Sequence, residues 1–398
     1  MIRFGTAIVE LGDAASSAEA AALEVRSQLG GARPVLAIAF ASVAYGDHPA
    51  VPRVVSRVLG GVPVVGGTAG GCLIGPRGVS PRAVSVVVLG GDEIEARVVT
   101  ARLGSPDLLQ VVPAAERLAR TADEAAGRGL TDFTCLVFSP GFGADGESLV
   151  AAVRKGVGPR VQLAGGLTGD DLTLDRARVY ADGESRGDAA VLAGVFTTRP
   201  LGLAARHGYR AVGSTHRVTR SDGPWLIELD GLPAFELWAG EARRAGLEVP
   251  AGRGSEVAVY LANHFSLGIL DSKRTEPILR SPTEIRDGAV RLSGSVGEGK
   301  KARFMLPLAS GMLEASEAAA TAAHDAAGGG VQGALVLACT GRMITLGQEF
   351  QRETSAIAKS LGAPIGGVCV FGEIARTRRD TEAFHNATTV VLAVPGAS

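Results

Sequence analysis

The chain has 398 residues, long enough for two or three domains, and its 46% hydrophobic content suits a globular protein with a full core. A formal net charge of −1 gives the chain as a whole no pull towards nucleic acid or an anionic membrane surface. Four isolated cysteines without a CxxC argue against a zinc ribbon, thioredoxin chemistry and a disulfide scaffold, and so point to the cytoplasm.

The N-terminus, MIRFGTAIVELGDAASS, carries Glu10 and Asp13 where a signal peptide would need a long apolar run. No uninterrupted apolar run approaches the roughly 20 residues of a membrane span. The spacing predicts a strand from Arg3 to Glu10 and a helix from about Ser17 to Leu29, closed by Gly30-Gly31. A first unit follows over about residues 35–100. It has a strand Val35 to Phe40, a loop Ala41 to Pro49 with Asp47 as N-cap, a helix to about Leu59, and the run PVVGG at 63–67. The alanine-rich stretch Leu108 to Arg128 reads as a helix that bends or splits at Pro113.

A second unit, about 133–198, repeats the order: strand Thr134 to Ser139, helix Glu147 to Val157, then VQLAGG at 161–166. Asp182-Gly183 between apolar runs reads as a hairpin turn. A domain boundary is placed at about residue 205, dividing the chain into 1–205 and 206–398. Beyond it, WLIELDGLPAFELW suggests strand, turn and a helix starting near Pro233. Glu256 to Leu270 and Pro277 to Leu308 read as strand-rich, with turns at Asp287-Gly288 and 297–299. A helix, Ser310 to Ala327, precedes the third unit.

That third unit, Ala334 to Val394, is the richest in chemistry. Its first strand stops at Cys339-Thr340-Gly341-Arg342. Thr345 and Gln348 match a capping box with Glu349 in the first turn, and the helix ends at Gly362 before Pro364. Gly366-Gly367 opens a second strand, Gly372-Glu373 follows it, and His385-Asn386 precedes a last strand from Thr388. Phe40 to Gly66, Ser139 to Gly165 and Thr340 to Gly366 are each 26 residues apart. The expected fold is therefore α/β: two domains with mixed β-sheets flanked by helices, built from related β-α-β-β units.

Polar groups gather at strand ends, where α/β sheets hold ligands. Arg342 with Glu373 and Glu349 would suit an amino-acid zwitterion, with Asn386 as neutral donor and acceptor. The alternative is an internal Arg–Glu pair that fixes the turn. Gly141 to Gly146 matches a dinucleotide fingerprint with Asp170 downstream, but Asp145 reads as a helix cap on the same amides. Asp170-Asp171 is either a ligand pair for a metal or ammonium group, or a solvated turn. Cys339 with His385 gives a nucleophile-and-base reading, against inert packing of a buried cysteine.

CTGR at 339–342, PIGG at 364–367, GEI at 372–374 and FHNAT at 384–388 resemble the C-terminal half of the FIST (F-box and intracellular signal transduction) domain. VTRSDGPWLIELDGLPAFELW at 218–238 resembles the start of that half. PVVGGTAGG at 63–71, with Thr68, and AGGLTGDD at 164–171, with Gly166 and Asp170, resemble the signature turns of its N-terminal half. The resemblance implies a cytoplasmic sensory module of bacterial signalling, not an enzyme. Such a module would bind a small polar metabolite, an amino acid among the candidates, and signal to a partner protein. The implied ligand-binding set is Arg342, Glu373, Asn386, Glu349, Cys339, Gly366, Gly367, Thr68, Gly166 and Asp170. No metal or other cofactor is expected on this reading. The alternative is a haem-binding nitric-oxide sensor that regulates a histidine kinase, with His385 as the haem ligand. A second alternative is a Cys-dependent or nucleotide-using enzyme. One departure from the family stands at Gly70-Gly71, where the first signature turn usually carries a Gly-Glu-like pair.

Overall fold

The computed structural model describes residues 1–104, 108–141, 145–252, 254–272, 276–378 and 384–396. Three copies of one β-α-β-α-β-β-β-β unit make up most of it, the third with its second helix in two pieces. The first copy runs β1 (Ile2–Val9), α1 (Ala14–Gln28), β2 (Pro34–Ala41), α2 (Val51–Val58), β3 (Val64–Thr68), β4 (Leu73–Gly75), β5 (Gly78–Ser80) and β6 (Val84–Gly91). The second runs β7 (Ile94–Arg102), α3 (Val111–Ala126), β8 (Asp132–Pro140), α4 (Gly146–Val157), β9 (Gln162–Thr168), β10 (Val179–Ala181), β11 (Glu184–Arg186) and β12 (Ala189–Thr197).

The third copy begins with β13 (Gly202–Arg206) and is then interrupted by an insert. The insert contains β14 (Arg210–Asp222), β15 (Trp225–Leu229), β16 (Leu232–Pro233), α5 (Ala234–Arg244) and α6 (Gly254–His264). It continues with β17 (Ser266–Leu270), β18 (Ile278–Arg280), β19 (Pro282–Arg286), β20 (Ala289–Leu292) and β21 (Lys301–Leu306), which join β14 to β16 in one eight-stranded sheet. The third copy then resumes with α7 (Ala309–Ala326), β22 (Val331–Cys339), α8 (Thr340–Leu346) and α9 (Phe350–Leu361). It ends with β23 (Ile365–Val370), β24 (Gly372–Arg376), β25 (Phe384–His385) and β26 (Thr389–Pro395).

Each copy builds a six-stranded sheet but borrows its last two strands. The orders are β1-β6-β2-β3-β10-β11, β7-β12-β8-β9-β24-β25 and β13-β26-β22-β23-β4-β5. Every short hairpin thus crosses to the neighbouring copy's sheet, and the exchange closes in a ring. Three backbone hydrogen bonds mark the ring: Gly70 N to Cys369 O at 2.7 Å, Gly169 N to Thr68 O at 3.2 Å, and Phe371 N to Leu167 O at 2.8 Å. They relate equivalent positions, so the three copies surround a pseudo-threefold axis.

The inner faces of the three sheets share one apolar core, with Phe40 edge-on to Phe138 at 5.6 Å between ring centroids. The outer faces are covered by α1 and α2, by α3 and α4, and by α7 and α9, each pair with its own apolar cluster. Burial on both faces explains why β2, β8 and β22 read as unbroken apolar runs rather than alternating ones. The insert packs α5 and α6 on its sheet around Trp238, Phe265 and Phe304.

The mixed α/β architecture of related units stands as expected, but the repeat is longer than the sequence showed. It starts one strand and one helix earlier. The equal spacing of 26 residues is not its measure. The glycines set against a partner carbonyl are Gly66, Gly165 and Gly367, facing Ala39, Val137 and Val336. In the third copy this glycine is the second of the pair, one residue later than the spacing implied.

Four local expectations change. Pro113 is the third residue of α3, so its missing N–H falls in the first turn, where it interrupts no helical bond. Thr345 and Gln348 form no capping box: Thr345 lies inside α8, and its hydroxyl meets the Asn263 carbonyl. Residues 254–264 are helix α6, whose Val257, Ala258 and Leu261 make a buried face at helical spacing. Asp47 caps a different helix: its carboxylate accepts from Ala14 N and Ala15 N at the start of α1. The turns at Asp182-Gly183, Asp230-Gly231 and Asp287-Gly288 all adopt positive φ, as a tight hairpin requires.

Candidate functional site

Strand β22 ends at Cys339 and the chain turns directly into α8, which carries Arg342 inward. The Arg342 side chain is fully buried. Its Nε and NH2 meet the two carboxylate oxygens of Glu353, each at 3.1 Å. NH1 donates to His207 O at 2.6 Å and Ala387 O at 3.2 Å, while NH2 also reaches Met312 O and Ser316 Oγ at 3.0 Å. All five guanidinium donors are therefore spent inside the protein. Arg342 forms the internal Arg–Glu pair that the sequence offered as the alternative. Its partner is Glu353 on the buried face of α9, not Glu349. Glu349 lies at the surface and pairs with Arg352.

Glu373 sits on β24, opposite Gly166 of β9 and His385 of β25. Its carboxyl group is fully buried. Oε2 accepts from Thr388 N at 3.0 Å, and Oε1 has no hydrogen-bond partner among the described residues. Burial pushes its pKa up to about 8, against the opposing pull of Thr388 N–H, the Cys339 thiol and the Arg342 charge. Near neutral pH the group is largely protonated, so it is poorly suited to holding an ammonium ion. Cys339 lies against this carboxyl group. Burial and the Glu373 carboxyl both raise its thiol pKa, which disfavours the thiolate. His385, the candidate base, has Nε2 hydrogen-bonded to Ala375 O at 2.9 Å.

Asn386 Oδ1 accepts from Arg280 NH1 at 3.4 Å. Arg280 ends β18 of the insert, almost wholly buried, and also bonds Leu279 O, Phe384 O and Ser295 O. It pairs with Glu147 in the first turn of α4, whose second oxygen accepts from Ser295 N at 2.8 Å. Three successive residues of the FHNAT segment thus meet three buried ionisable side chains. Asn386 binds Arg280, Ala387 binds Arg342 and Thr388 binds Glu373. The sequence motifs do converge, but on a packed polar core.

The glycine corners also converge, and the space between them is filled. A Cβ on Gly70 would collide with Thr340 Oγ1, and one on Gly141 or Gly169 would press on Phe371. Thr68 donates to Gly169 O at 2.6 Å and accepts from Arg178 N at 2.8 Å, so it ties two copies together. Gly166 faces Gly372 O, Gly366 abuts the Thr6 hydroxyl, and Gly367 abuts Val336 O. Asp170 is buried and accepts from Leu174, Asp175 and Arg176 N–H, which makes it the anchor of its own loop rather than a metal ligand or a solvated turn. At the departure from the family pattern, Gly71 has φ +91° and lies under Met343.

Asp145 accepts from Ser148 N at 2.8 Å as the expected cap of α4. Phe142, Gly143 and Ala144 of the dinucleotide fingerprint lie outside the described residues. Among the described residues no cluster of three or more His, Cys, Asp or Glu side chains could hold a metal. His385, the candidate haem ligand, is buried on β25 with Nε2 hydrogen-bonded to Ala375 O. No helix among the described residues is long and apolar enough to cross a membrane.

Open space lies elsewhere. A cavity of about 310 Å³ separates α4 from the insert, walled by Glu147, Ala151, Ile269, Ile278, Arg280 and Lys300. A second, shallower cleft of about 430 Å³ lies along β7 and β11, with Arg102, Arg186, Glu184 and Asp188 on its walls. The sequence reading missed Arg280, Glu147 and Lys300. A signal was present: Pro277-Ile-Leu-Arg280 puts an arginine at the end of an apolar strand, where a buried charge needs a partner.

No curated protein matches this chain. Among solved structures, the crystal structure of a cyanuric acid hydrolase from A. caulinodans overlaps 49% of this chain and 71% of its own, at 13% identity and a TM-score of 0.26. At that overlap the two share too little for fold or activity to carry over. The FIST N domain matches residues 35–232 and the FIST C domain matches residues 245–376. The chain belongs to the FIST family.

Proposed function

We propose that this chain is a cytoplasmic sensory module. It would bind a small zwitterionic metabolite, such as an amino acid, in the cavity between α4 and the insert, and pass the signal to a partner such as a histidine kinase. FIST domains are associated with sensory roles in signal transduction. The observation that carries the choice of site is the buried Arg280–Glu147 pair in the wall of a cavity of about 310 Å³. That volume lies at the small-molecule end of ligand pockets. Lys300 supplies exposed positive charge for a carboxylate, the part-exposed Glu147, held in place by Arg280, supplies negative charge for an ammonium group, and Ile269 and Ile278 supply an apolar wall.

A route for the signal follows from the same geometry. The cavity walls belong to the second copy and to the insert, and Arg280 reaches through them to Asn386 of the third copy. A ligand that draws on Arg280 or Glu147 changes the contact between these three parts. The function is binding rather than catalysis, and no cofactor is assigned to it.

A thermal-shift screen of free amino acids and related zwitterions tests this reading, comparing wild type with Lys300→Ala. Lys300 is exposed, so its removal should leave the unliganded melting temperature unchanged. A compound that stabilises wild type and stabilises the variant less supports the site. If no compound in the screen stabilises either protein, the proposal fails.

A further inference from the structure

Two of the four cysteines face each other across the strand exchange. Strands β4 and β23 are antiparallel, with Leu73 opposite Val368 and Ile74 opposite Gly367. One step further along the same register sets Cys72 opposite Cys369, and Cys369 N donates to Cys72 O at 2.9 Å. Side chains of directly opposed residues leave the sheet on the same face. Both cysteines belong to the apolar cluster beneath α7 and α9. Opposed Cα atoms in an antiparallel pair lie about 4.5–5.5 Å apart, inside the roughly 4.4–6.8 Å range that a disulfide spans.

We propose that Cys72 and Cys369 are a redox modification site, closed to a disulfide by hydrogen peroxide and reopened by a small thiol. The bond would join the exchanged hairpin of the first copy to the sheet of the third, next to the Gly70–Cys369 backbone bond of the threefold ring.

The two cysteines have distinct parts. Cys72 is 5% exposed and Cys369 is fully buried. The Cys369 thiol, with the backbone at Leu73 and Ser80, favours the Cys72 thiolate, while burial keeps the proton on Cys369. The Cys72 thiolate attacks one peroxide oxygen; the O–O bond breaks, hydroxide leaves, and a sulfenic acid forms on Cys72. The Cys369 sulfur then attacks the Cys72 sulfur, the S–O bond breaks, and hydroxide leaves with the Cys369 proton as water. In total, two thiols are oxidised and one peroxide is reduced to two waters. Reduction by two equivalents of a small thiol returns both cysteines and yields that thiol's disulfide.

The other two cysteines do not share this chemistry. Burial pushes the Cys135 thiol up to about 12 and raises Cys339 as well, so neither offers a ready thiolate.

The test uses the whole protein. Folded wild type is treated with hydrogen peroxide at low molar excess, denatured in an alkylating agent, digested without reductant and mapped by mass spectrometry. The expected result is one linked peptide pair joining Cys72 to Cys369, with Cys135 and Cys339 alkylated. The intact mass should fall by two hydrogens and return after dithiothreitol, and the oxidised protein should melt at a higher temperature than the reduced one. Cys72→Ser and Cys369→Ser should each remove the link. The wild-type map decides the matter even if a variant folds poorly. Both thiols alkylated after peroxide, a Cys72 sulfinic acid without a link, or a bridge to Cys339 instead would each overturn the proposal.

Discussion

Arg342 and Glu353 form a two-bond fork in which neither side chain touches solvent, with both N···O distances 3.1 Å. Glu353 Oε1 also accepts from Thr389 at 2.6 Å, so the pair clamps α8, α9 and the start of β26. Arg342→Met leaves a carboxylate buried without its partner. The expected loss is about 3–5 kcal/mol of stability by urea unfolding. The double variant Arg342→Met with Glu353→Met should recover more than half of that loss, because no buried charge remains. If the double variant is no more stable than the single one, the arginine is held by something other than this pair.

Glu373 makes stability depend on pH. Its folded pKa is raised from the ordinary 4.5 to about 8, so between those values the folded chain holds a proton that the unfolded chain has lost. Stability should therefore be greatest below the lower value, fall as pH rises through this window, and level off above about pH 8. The slope from this one group is at most about 1.4 kcal/mol per pH unit. Urea unfolding of Glu373→Gln should show a shallower slope across the same window. An identical slope in wild type and variant would mean that another group carries it.

Gly165 tests the threefold packing. A side chain there would collide with the Val137 carbonyl, at a backbone φ of +149° that favours glycine. Gly165→Ala should cost more than about 4 kcal/mol or prevent folding. Gly240 inside α5 has nothing within 4 Å of the place a methyl group would take, so Gly240→Ala should stabilise by roughly 0.5–1 kcal/mol. Thermal melts of the two variants should move in opposite directions.

Much of this architecture was legible because it is local. The central strands announce themselves as apolar runs, Gly362 ends α9 in the left-handed region as expected, and the Asp-Gly turns mark their hairpins. The motifs at 339–342, 372–374 and 384–388 were rightly expected to meet. What the sequence withheld is non-local. Nothing in Val179-Tyr180-Ala181 says that Val179 will pair with Gly67 of another copy rather than with its own sheet. The choice of Glu353 over Glu349 for Arg342 depends on which face of α9 is buried, and the mistaken capping box shifted that helix start. Arg280 was overlooked because its partners, Glu147 and Asn386, are more than a hundred residues away in either direction.

Arg280 links the cavity to the third copy, so its replacement should do two things. Arg280→Met should lower stability by about 2–4 kcal/mol, since it strands Glu147 and the Asn386 amide. It should also abolish any ligand-induced rise in melting temperature. Lys300→Ala should change stability by less than about 0.5 kcal/mol and weaken the ligand response only in part. Equal ligand responses in wild type and Arg280→Met would place the binding site elsewhere.

Ala151 lies on the exposed face of α4 and lines the cavity, so a tryptophan there fills the space without entering the core. The decisive measurement is a calorimetric titration of the best-stabilising amino acid into wild type and into Ala151→Trp. The account predicts saturable one-to-one heat for wild type and none for the variant at an unchanged melting temperature. Equal heats from both proteins would contradict it.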